Sequence, residues 1–405
     1  MKKAFTFILL LHLYLLPAQE GCTDDQALNY DMGTTINDGS CIYPATNFTL
    51  SNIAVLPELL NESSGLAFFN DGLWTHNDEG PDEVYKIDQT TGEIVQTVLI
   101  ANSNNKDWED FAEDSEYLYI GDFGNNGGDR TNLRIYRVAK NALGGLIANA
   151  EKIEFSYIDQ TDFTEKHNNN DYDCEAFFYH NDSLHLFTKN WVDNKTRHYT
   201  VPTIPGIHVA QLRDSLDVNG LITGADIGAD GVIVLQGYTE IGLNFMWLLY
   251  DYADHHYFSG NKRRIDLGTA LTNSQTEGIA FTQNGEGFIS SENFNSLPPR
   301  LLSFNTRQWT EDFISLNTDI SSSIDFKLFP NPFAESLSIQ FFEPLKTKSE
   351  LRLFNSLGQV IKQLDIEEGD TQIQLNFGTD LINGWYWFQL REGKQIYQKK
   401  ILKMD

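Results

Sequence analysis

One short motif recurs five times along the chain, and this internal repeat limits the possible folds more than any other feature. Each copy begins with an oxygen-bearing residue, continues with a small or acidic residue and becomes mostly apolar; a short turn and a second β-rich run follow. The copies begin at Ser64, Glu109, Glu175, Thr223 and Glu277, so their starts are 45, 66, 48 and 54 residues apart. A unit repeated at such intervals buries its apolar face against its neighbours, which indicates a repeat architecture.

Third and fourth β-rich runs follow several copies, such as 84–87 with 94–98 and 133–136 with 152–155. Four strands per unit, at a spacing near or above the roughly 40–50 residues usual for a blade, predict an all-β chain with a five-bladed β-propeller over 47–318. The last blade has its third strand at 300–304, and the run 48–53 at the front completes it and closes the ring. A six-bladed propeller, with a degenerate blade near 309–316, is the alternative.

The first strand of every blade lines the central channel, so the five motif starts should form a ring around the axis. Three of the five are carboxylates, which repel one another in a narrow channel unless a cation compensates them. All five are oxygen donors, without sulfur or imidazole, and this donor set selects a hard ion such as Ca²⁺. We therefore predict calcium ligation by Ser64, Glu109, Glu175, Thr223 and Glu277. The alternative is a water-filled acidic channel with polar lining only.

The order hydroxyl, Glu, Glu, hydroxyl, Glu, one per blade, resembles the secreted calcium-activated nucleotidase (apyrase) family. That resemblance implies a Ca²⁺ ion on the axis of a five-bladed propeller, held at these five positions, with Thr223 in place of a serine. It does not carry over the nucleotidase activity, because the region contains no basic cluster for a di- or triphosphate. The run from Asp107 to Arg137 is similar to uncharacterised bacterial secreted propellers, which implies a fold but no substrate.

Polar residues that end the second strands should converge at the mouth of the channel. The candidates there are Asp78, Asp122, Lys189, Gln236 and Glu292. In a hydrolase, Asp122 or Asp78 could act as the base while Lys189 or Arg130 steadies an anion. The alternative is that these are turn-forming residues at strand ends. The histidines His76, His167, His185 and His208 show no metal-ligand spacing.

The charge of the chain excludes several partner classes. Against 29 Lys and Arg stand 57 Asp and Glu, which gives a formal net charge of −28. Such a surface repels nucleic acid and anionic lipid, and it favours metal cations. From Asp325 onward the two signs nearly balance, at 10 basic and 11 acidic residues, so the excess lies in the N-terminal part.

The first residues read as an export signal. Lys2 and Lys3 precede an apolar stretch from Ala4 to Leu16 and a small-residue exit, which predicts a Sec-type signal peptide over 1–19. No other stretch approaches the 18 or so apolar residues of a membrane span, so we expect no transmembrane segment.

Two cysteines bracket an acidic segment directly after the signal peptide. Cys22 and Cys41 enclose a loop with too little apolar material to hold itself together, and in an exported chain they predict a disulfide. Residues 20–44 resemble a short Cys-bracketed, Asp- and Asn-rich motif of secreted Bacteroidota proteins. Asp24, Asp31 and Asp38 could bind Ca²⁺ there; the alternative is a solvated acidic loop held by one disulfide.

The last eighty residues predict a separate domain. A polar linker over 319–326 precedes about seven alternating runs over 327–405, the pattern of a small Ig-like β-sandwich. The runs that carry a resemblance are Phe329-Pro330-Asn331-Pro332-Phe333, Leu353-Phe354-Asn355-Ser356-Leu357-Gly358, Gly384-Trp385-Tyr386 and the terminal Gln398-Lys399-Lys400-Ile401-Leu402-Lys403. This segment closely resembles the type A C-terminal sorting domain of the Bacteroidota type IX secretion system. The resemblance implies Sec export, translocation across the outer membrane by that machinery, and release or attachment at the cell surface.

Two functions fit these features. The first is a secreted or cell-surface calcium-binding propeller that serves as a binding or scaffold module for an unknown extracellular ligand. The second is a calcium-dependent extracellular hydrolase acting on a phosphoester or nucleotide-like substrate. The sequence contains neither a nucleophile motif nor a phosphate clamp, which favours the first.

Overall fold

The computed structural model describes residues 19–283, 285–310, 326–341, 345, 348–355, 360–367, 369–377, 381–392 and 395–404. The signal peptide predicted over 1–19 lies outside these residues except for Gln19, and so does the predicted linker over 319–326 except for Phe326. Most of the degenerate sixth blade proposed near 309–316 also falls outside them.

The described part of the chain is almost entirely β. Two short strands, β1 (Glu20–Gly21) and β2 (Ile36–Asn37), pair in parallel within the N-terminal segment. The next strand, β3 (Ser51–Val55), is followed by a 3₁₀ turn, Glu58–Leu60.

Five four-stranded antiparallel units follow, which we number in chain order. Unit 1 consists of β4 (Ser63–Phe69), β5 (Gly72–Asn77), β6 (Glu83–Ile87) and β7 (Ile94–Ala101). Unit 2 consists of β8 (Trp108–Glu113), β9 (Tyr117–Asp122), β10 (Arg134–Ala139) and β11 (Ile147–Tyr157), with a 3₁₀ turn at Lys140–Gly144. Unit 3 consists of β12 (Asp173–His180), β13 (Ser183–Lys189), β14 (Lys195–Pro202) and β15 (Gly206–Asp217).

Unit 4 consists of β16 (Leu221–Ile227), β17 (Ile233–Tyr238), β18 (Leu243–Tyr250) and β19 (Asn261–Thr269), and a short helix α1 (Ala270–Asn273) follows it. Unit 5 consists of β20 (Gln275–Gln283), β21 (Glu286–Glu292), β22 (Arg300–Asn305) and the early strand β3, which pairs antiparallel with β22. This pairing confirms that the front of the chain completes the last unit, although β3 begins at Ser51 rather than at residue 48.

The first strands of the five units form a closed circle. Each inner strand contacts the inner strand of the next unit, and β20 of unit 5 contacts β4 of unit 1. Five hydrophobic clusters fill the five boundaries between neighbouring units, for example Val84 with Trp108 between units 1 and 2, and Leu66 with Leu301 between units 5 and 1. Radial units that pack face to face in this way give a β-propeller-like fold.

Close approach of the inner strands explains why a small residue follows the motif start in several copies. A Cβ atom added at Gly278 would lie 2.0 Å from the backbone oxygen of Ser64 in the neighbouring unit. Only glycine fits where two backbones meet so closely.

The N-terminal segment packs against unit 4 and contains the predicted disulfide. Cys22 and Cys41 are bonded, with 4.7 Å between their Cα atoms. The Asp24 carboxylate accepts hydrogen bonds from the Tyr43 hydroxyl at 2.7 Å and the Tyr250 hydroxyl at 2.8 Å, which fixes the segment to β18.

The C-terminal region contains two small sheets around one hydrophobic core. The first sheet consists of β23 (Phe326–Phe329), β24 (Ser336–Phe341) and β27 (Gln372–Asn376). The second consists of β25 (Ser349–Phe354), β26 (Val360–Ile366), β28 (Gly384–Glu392) and β29 (Gln395–Lys403).

Candidate functional site

The five predicted ring residues occupy equivalent positions on the five inner strands. The register with the second strand shifts at each of them, between Ser63 and Leu66, Trp108 and Phe111, Cys174 and Ala176, Ile222 and Gly224, and Thr276 and Ile279. Such a β-bulge redirects the extra residue's side chain out of the normal alternation. All five side chains are buried. Four of them line one cavity, and Thr223 is not among its lining residues.

The two hydroxyl members of the ring join neighbouring units. Ser64 Oγ donates a hydrogen bond to the backbone oxygen of Glu109 at 2.5 Å, and Thr223 Oγ1 donates one to the backbone oxygen of Thr276 at 2.9 Å. Their protons are thereby used within the fold, and only their lone pairs remain for a cation.

A cavity of about 230 Å³, open to solvent, lies above the ring; we call it the carboxylate cavity. Its lining is Ser64, Asp78, Asp107, Glu109, Asn126, Glu175, Lys189, Trp191, Tyr238, Gln275, Glu277 and Glu292. Six of these side chains are carboxylates and one is an ammonium group. Four of the five predicted ring residues therefore line one space together with three predicted mouth residues.

Lys189 compensates part of this charge. Its Nζ atom lies 3.1 Å from Glu175 Oε1, and the rings of Trp191 and Tyr238 have their centroids 5.0 and 5.4 Å from it. Burial disfavours the charged amine, but Glu175, Tyr238, Glu277 and Asp173 together outweigh this and raise the pKa of Lys189 well above its usual value. Lys189 is thus a fixed internal counter-ion of Glu175.

A second group of carboxylates stands at the mouth of the same cavity, and we call it the mouth cluster. Oxygen atoms of Glu62, Asp78 and Glu292 all lie within 4.8 Å of one another. Burial, followed by repulsion from Glu62 and Glu277, raises the pKa of Asp78 to about 7. Burial and repulsion from Glu277 likewise raise the pKa of Glu292.

No ion pair within the described ranges involves the mouth cluster, Glu109 or Glu277. Burial and repulsion from Glu175 raise the pKa of Glu109 well above its usual value. Close carboxylates in this state take up protons or a cation. Their oxygen atoms are the ligands that Ca²⁺ takes, six to eight at a time.

Two predicted mouth residues and one hydrolytic candidate do not line the cavity. Asp122 is fully buried and pairs with Arg130 Nη2 at 2.7 Å and Arg134 Nε at 3.5 Å. Arg130 also donates to the backbone oxygen of Gly124 at 2.6 Å, so it holds the loop after β9. Gln236 donates through Nε2 to the backbone oxygen of Glu277. These side chains hold the blades and loops of the fold.

Sequence reasoning missed Glu62, Trp191 and Tyr238. Tyr238 ends β17 two positions beyond the predicted mouth residue Gln236, so strand alternation was an available signal. Trp191 lies beyond the end of β13 at Lys189, where strand alternation gives no signal. Glu62 precedes β4, and only the closure of unit 5 onto unit 1 brings it to Glu292.

At the opposite end of the channel, buried carboxylates accept hydrogen bonds from backbone N–H groups. Asp110 accepts backbone N–H groups from Phe111 at 2.8 Å, Phe177 at 3.1 Å and Ala225 at 3.2 Å, and so links units 2, 3 and 4. Asp226 accepts the N–H of Phe281 at 2.7 Å, which links unit 4 to unit 5.

The acidic residues of the N-terminal segment mostly accept hydrogen bonds from backbone N–H groups within their own turns. Asp24, Asp31 and Asp38 accept backbone N–H groups from Gln26, Gly33 and Ser40, each two residues further on. Within the ranges that the structure covers, the carboxylate groups close enough to share one ion do not include these three. The geometry thus favours the acidic-loop interpretation of this segment.

Comparison with known proteins identifies the C-terminal region. Residues 327–404 match the family of secretion system C-terminal sorting domains. The chain is therefore cargo of the type IX secretion system and is exported to the cell surface or released. No helix among the described residues is long and apolar enough to cross a membrane. No curated protein matches the chain.

Solved structures resemble the chain only distantly. A protein of unknown function from Bacteroides caccae is 11% identical over 60% of this chain and 78% of its own, with a TM-score of 0.35. The RS223 β-xylosidase is 13% identical over 62% of this chain and 94% of its own, with a TM-score of 0.36. A quinonprotein alcohol dehydrogenase-like protein from Bacteroides thetaiotaomicron is 10% identical over 77% and 68%, with a TM-score of 0.30. Likeness at this level carries no inference about activity.

Proposed function

We propose that this exported chain is a calcium-binding, five-bladed β-propeller, followed by a small Ig-like sandwich, and that it works as a binding or scaffold module outside the cell. One observation carries the proposal: six carboxylates line the carboxylate cavity against a single ammonium group. The closed circle of five inner strands supports the blade count.

The ring and the mouth cluster would share the ion. Glu109 and Glu277 of the ring face the cavity that Asp78 and Glu292 also line. Glu175 is partly neutralised by Lys189, while Ser64 and Thr223 offer only lone pairs. The mouth cluster would bind the ion directly, because its oxygen atoms lie within 4.8 Å of one another, whereas no such group of three among the described residues includes a ring carboxylate. The ring carboxylates would act through bound water, which completes the six to eight oxygen ligands that Ca²⁺ takes.

The hydrolase alternative has less support. Asp122 and Arg130, two of its candidate catalytic residues, pair with each other and do not line the cavity. Arg130 contacts the lining through Asp107, 3.9 Å from its guanidinium. Lys189 is held by Glu175 and two aromatic rings, so it is poorly placed to follow a developing negative charge. A bound cation in this cavity is better suited to hold the ring of blades together or to contact an anionic group of a ligand.

Calorimetric titration of the mature protein with Ca²⁺ tests the proposal. The wild type should bind Ca²⁺, and both Glu292→Gln at the mouth and Glu175→Gln in the ring should lower the affinity. Glu286→Gln is the matched control, because Glu286 stands at the other end of the same strand β21, outside the carboxylate cavity. Loss in only one of the two variants would assign the ion to that group of carboxylates.

A wild type that binds no Ca²⁺, or two variants that bind it as well as the wild type, would refute the site. Turnover assays with nucleotides, phytate and phosphodiesters, with and without EGTA, separate the two functions. We expect no turnover, and we expect glycan or peptide arrays to capture a ligand. Calcium-dependent hydrolysis that Glu292→Gln abolishes would replace the binding role by the hydrolase.

A further inference from the structure

A cluster of histidines lies between units 3 and 4, at the end of the inner strands away from the carboxylate cavity. His180 ends β12 and His185 lies in β13, so both belong to unit 3. His255 lies in the loop between β18 and β19 of unit 4, and the same loop carries the buried Tyr257. The spacing in the sequence conceals the cluster because two separate units contribute to it.

Nitrogen atoms of three histidines converge there. One ring nitrogen from each of His180, His185 and His255 lies within 4.8 Å of the other two. The Tyr257 hydroxyl oxygen stands among them, 2.8 Å from His180 Nδ1, 3.2 Å from His185 Nε2 and 3.5 Å from His255 Nδ1. His185 is buried while His255 is exposed, so the cluster opens to solvent on one side.

A hydrogen-bond relay sets the tautomer of His185. Asp214 Oδ1 lies 2.9 Å from His198 Nδ1, and a carboxylate can only accept, so His198 Nδ1 carries the proton. In the neutral form of His198, its Nε2 atom is then the acceptor for His185 Nδ1 at 2.9 Å. The Nε2 atom of His185 therefore presents a lone pair toward the convergence point.

In the tautomers that leave Nδ1 of His180 and His255 unprotonated, the convergence point has more acceptors than protons. His185 Nε2 lies 3.2 Å from the backbone oxygen of His180, which is itself an acceptor. The single Tyr257 hydroxyl proton can serve only one of the three imidazoles around it. A cation would satisfy the lone pairs that remain.

We propose that His180, His185 and His255 bind a divalent transition-metal ion of the zinc type, with Tyr257 as the neighbouring oxygen. Three imidazole nitrogens and one open position are a ligand set that Zn²⁺ takes, whereas Ca²⁺ requires oxygen ligands. The relay from Asp214 through His198 is the outer hydrogen-bond support that metal-bound histidines usually have. The ion would join unit 3 to unit 4, independently of the calcium proposal.

Titration with Zn²⁺ tests this inference on the mature chain without a polyhistidine tag, saturated beforehand with Ca²⁺. We expect one tightly bound Zn²⁺ per chain and a rise in Tm that follows occupancy. His255→Ala should abolish tight binding, and Asp214→Asn, which removes the relay acceptor, should weaken it about tenfold. His256→Ala is the matched control, because His256 is exposed in the same loop and lies outside the cluster.

Substitution with Co²⁺ supplies a second readout that does not depend on stability. The wild type and His256→Ala should give the visible absorption of a four-coordinate site, and His255→Ala should lose it. Zn²⁺ binding and a Co²⁺ spectrum that are the same in His255→Ala as in the wild type would overturn the proposal. A wild type that binds no Zn²⁺ would overturn it as well.

Discussion

Replacing Lys189 by methionine removes the one positive charge that lines the carboxylate cavity and keeps most of the side-chain volume. Lys189 and Glu175 are 7% and 5% exposed as side chains, and their charged atoms are 3.1 Å apart. Breaking such a buried pair leaves one charge without a partner and costs about 3–5 kcal/mol. In EGTA, we therefore expect the Tm of Lys189→Met to fall by roughly 10 °C, at about 2–4 °C per kcal/mol for a domain of this size.

Saturating Ca²⁺ should offset the loss of stability in Lys189→Met. Lys189 repels any cation that enters the cavity, since two unit charges about 4 Å apart interact by about 4 kcal/mol at an effective dielectric constant of 20. Part of that repulsion is screened at the open mouth, so we expect Lys189→Met to bind Ca²⁺ at least about tenfold more tightly than the wild type. Saturating Ca²⁺ should then restore most of the lost stability.

Thermal melts with EGTA or Ca²⁺, combined with calorimetric titration, measure both effects. Lys166→Met is the control, because it breaks an exposed pair with Asp162 that should contribute little to stability. The double variant Lys189→Met/Glu175→Gln removes both charges and should recover stability without Ca²⁺. Equal or weaker Ca²⁺ affinity in Lys189→Met, with the loss of stability intact, would show that Lys189 is a structural counter-ion and that any Ca²⁺ binds outside the carboxylate cavity.

Three further predictions concern the frame around the site. Asp110→Ala leaves three backbone N–H groups without their acceptor, which at about 1–3 kcal/mol each should lower the free energy of unfolding by several kcal/mol in urea melts; an unchanged midpoint would contradict this role. Burial, partly offset by backbone N–H donors, raises the pKa of Asp226 from 3.8 to about 7. Because the folded state then holds a proton that the unfolded chain releases, stability should fall as pH rises from about 4 to 7, by up to about 1.4 kcal/mol per pH unit, and Asp226→Asn should flatten that slope. Cys22→Ser should weaken the N-terminal segment by about 3 kcal/mol, seen as faster proteolysis within 23–40; equal cleavage rates would show that packing on unit 4 suffices.

The sequence alone was enough to locate the repeating units, because each unit buries an apolar face against its neighbours with the same pattern of residues. The inner strands and the equivalent motif starts follow from the five aligned copies, and the apolar run at the front supplied the strand that completes unit 5. Asp78 and Glu292 were predicted at the channel mouth, but Glu62 and the histidine cluster were not, since Glu62 meets Glu292, and His180 meets His255, only across boundaries between units. Comparing the repeats finds only the residues that the units share, whereas the mouth cluster and the histidine cluster depend on residues that differ from one unit to the next.

The two ends of the channel differ in what surrounds their buried carboxylates. Asp110 and Asp226 are also buried in the ring of blades, but backbone N–H groups of neighbouring units meet their oxygens. The oxygen atoms of Asp110 and Asp226 therefore have hydrogen-bond donors from the chain itself, and these hydrogen bonds link neighbouring units of the circle. Asp78 and Glu292 stand instead beside further carboxylates, whose repulsion adds to the effect of burial in raising their pKa values. This difference supports our proposal that the open end, where buried carboxylates accumulate, receives a cation from outside.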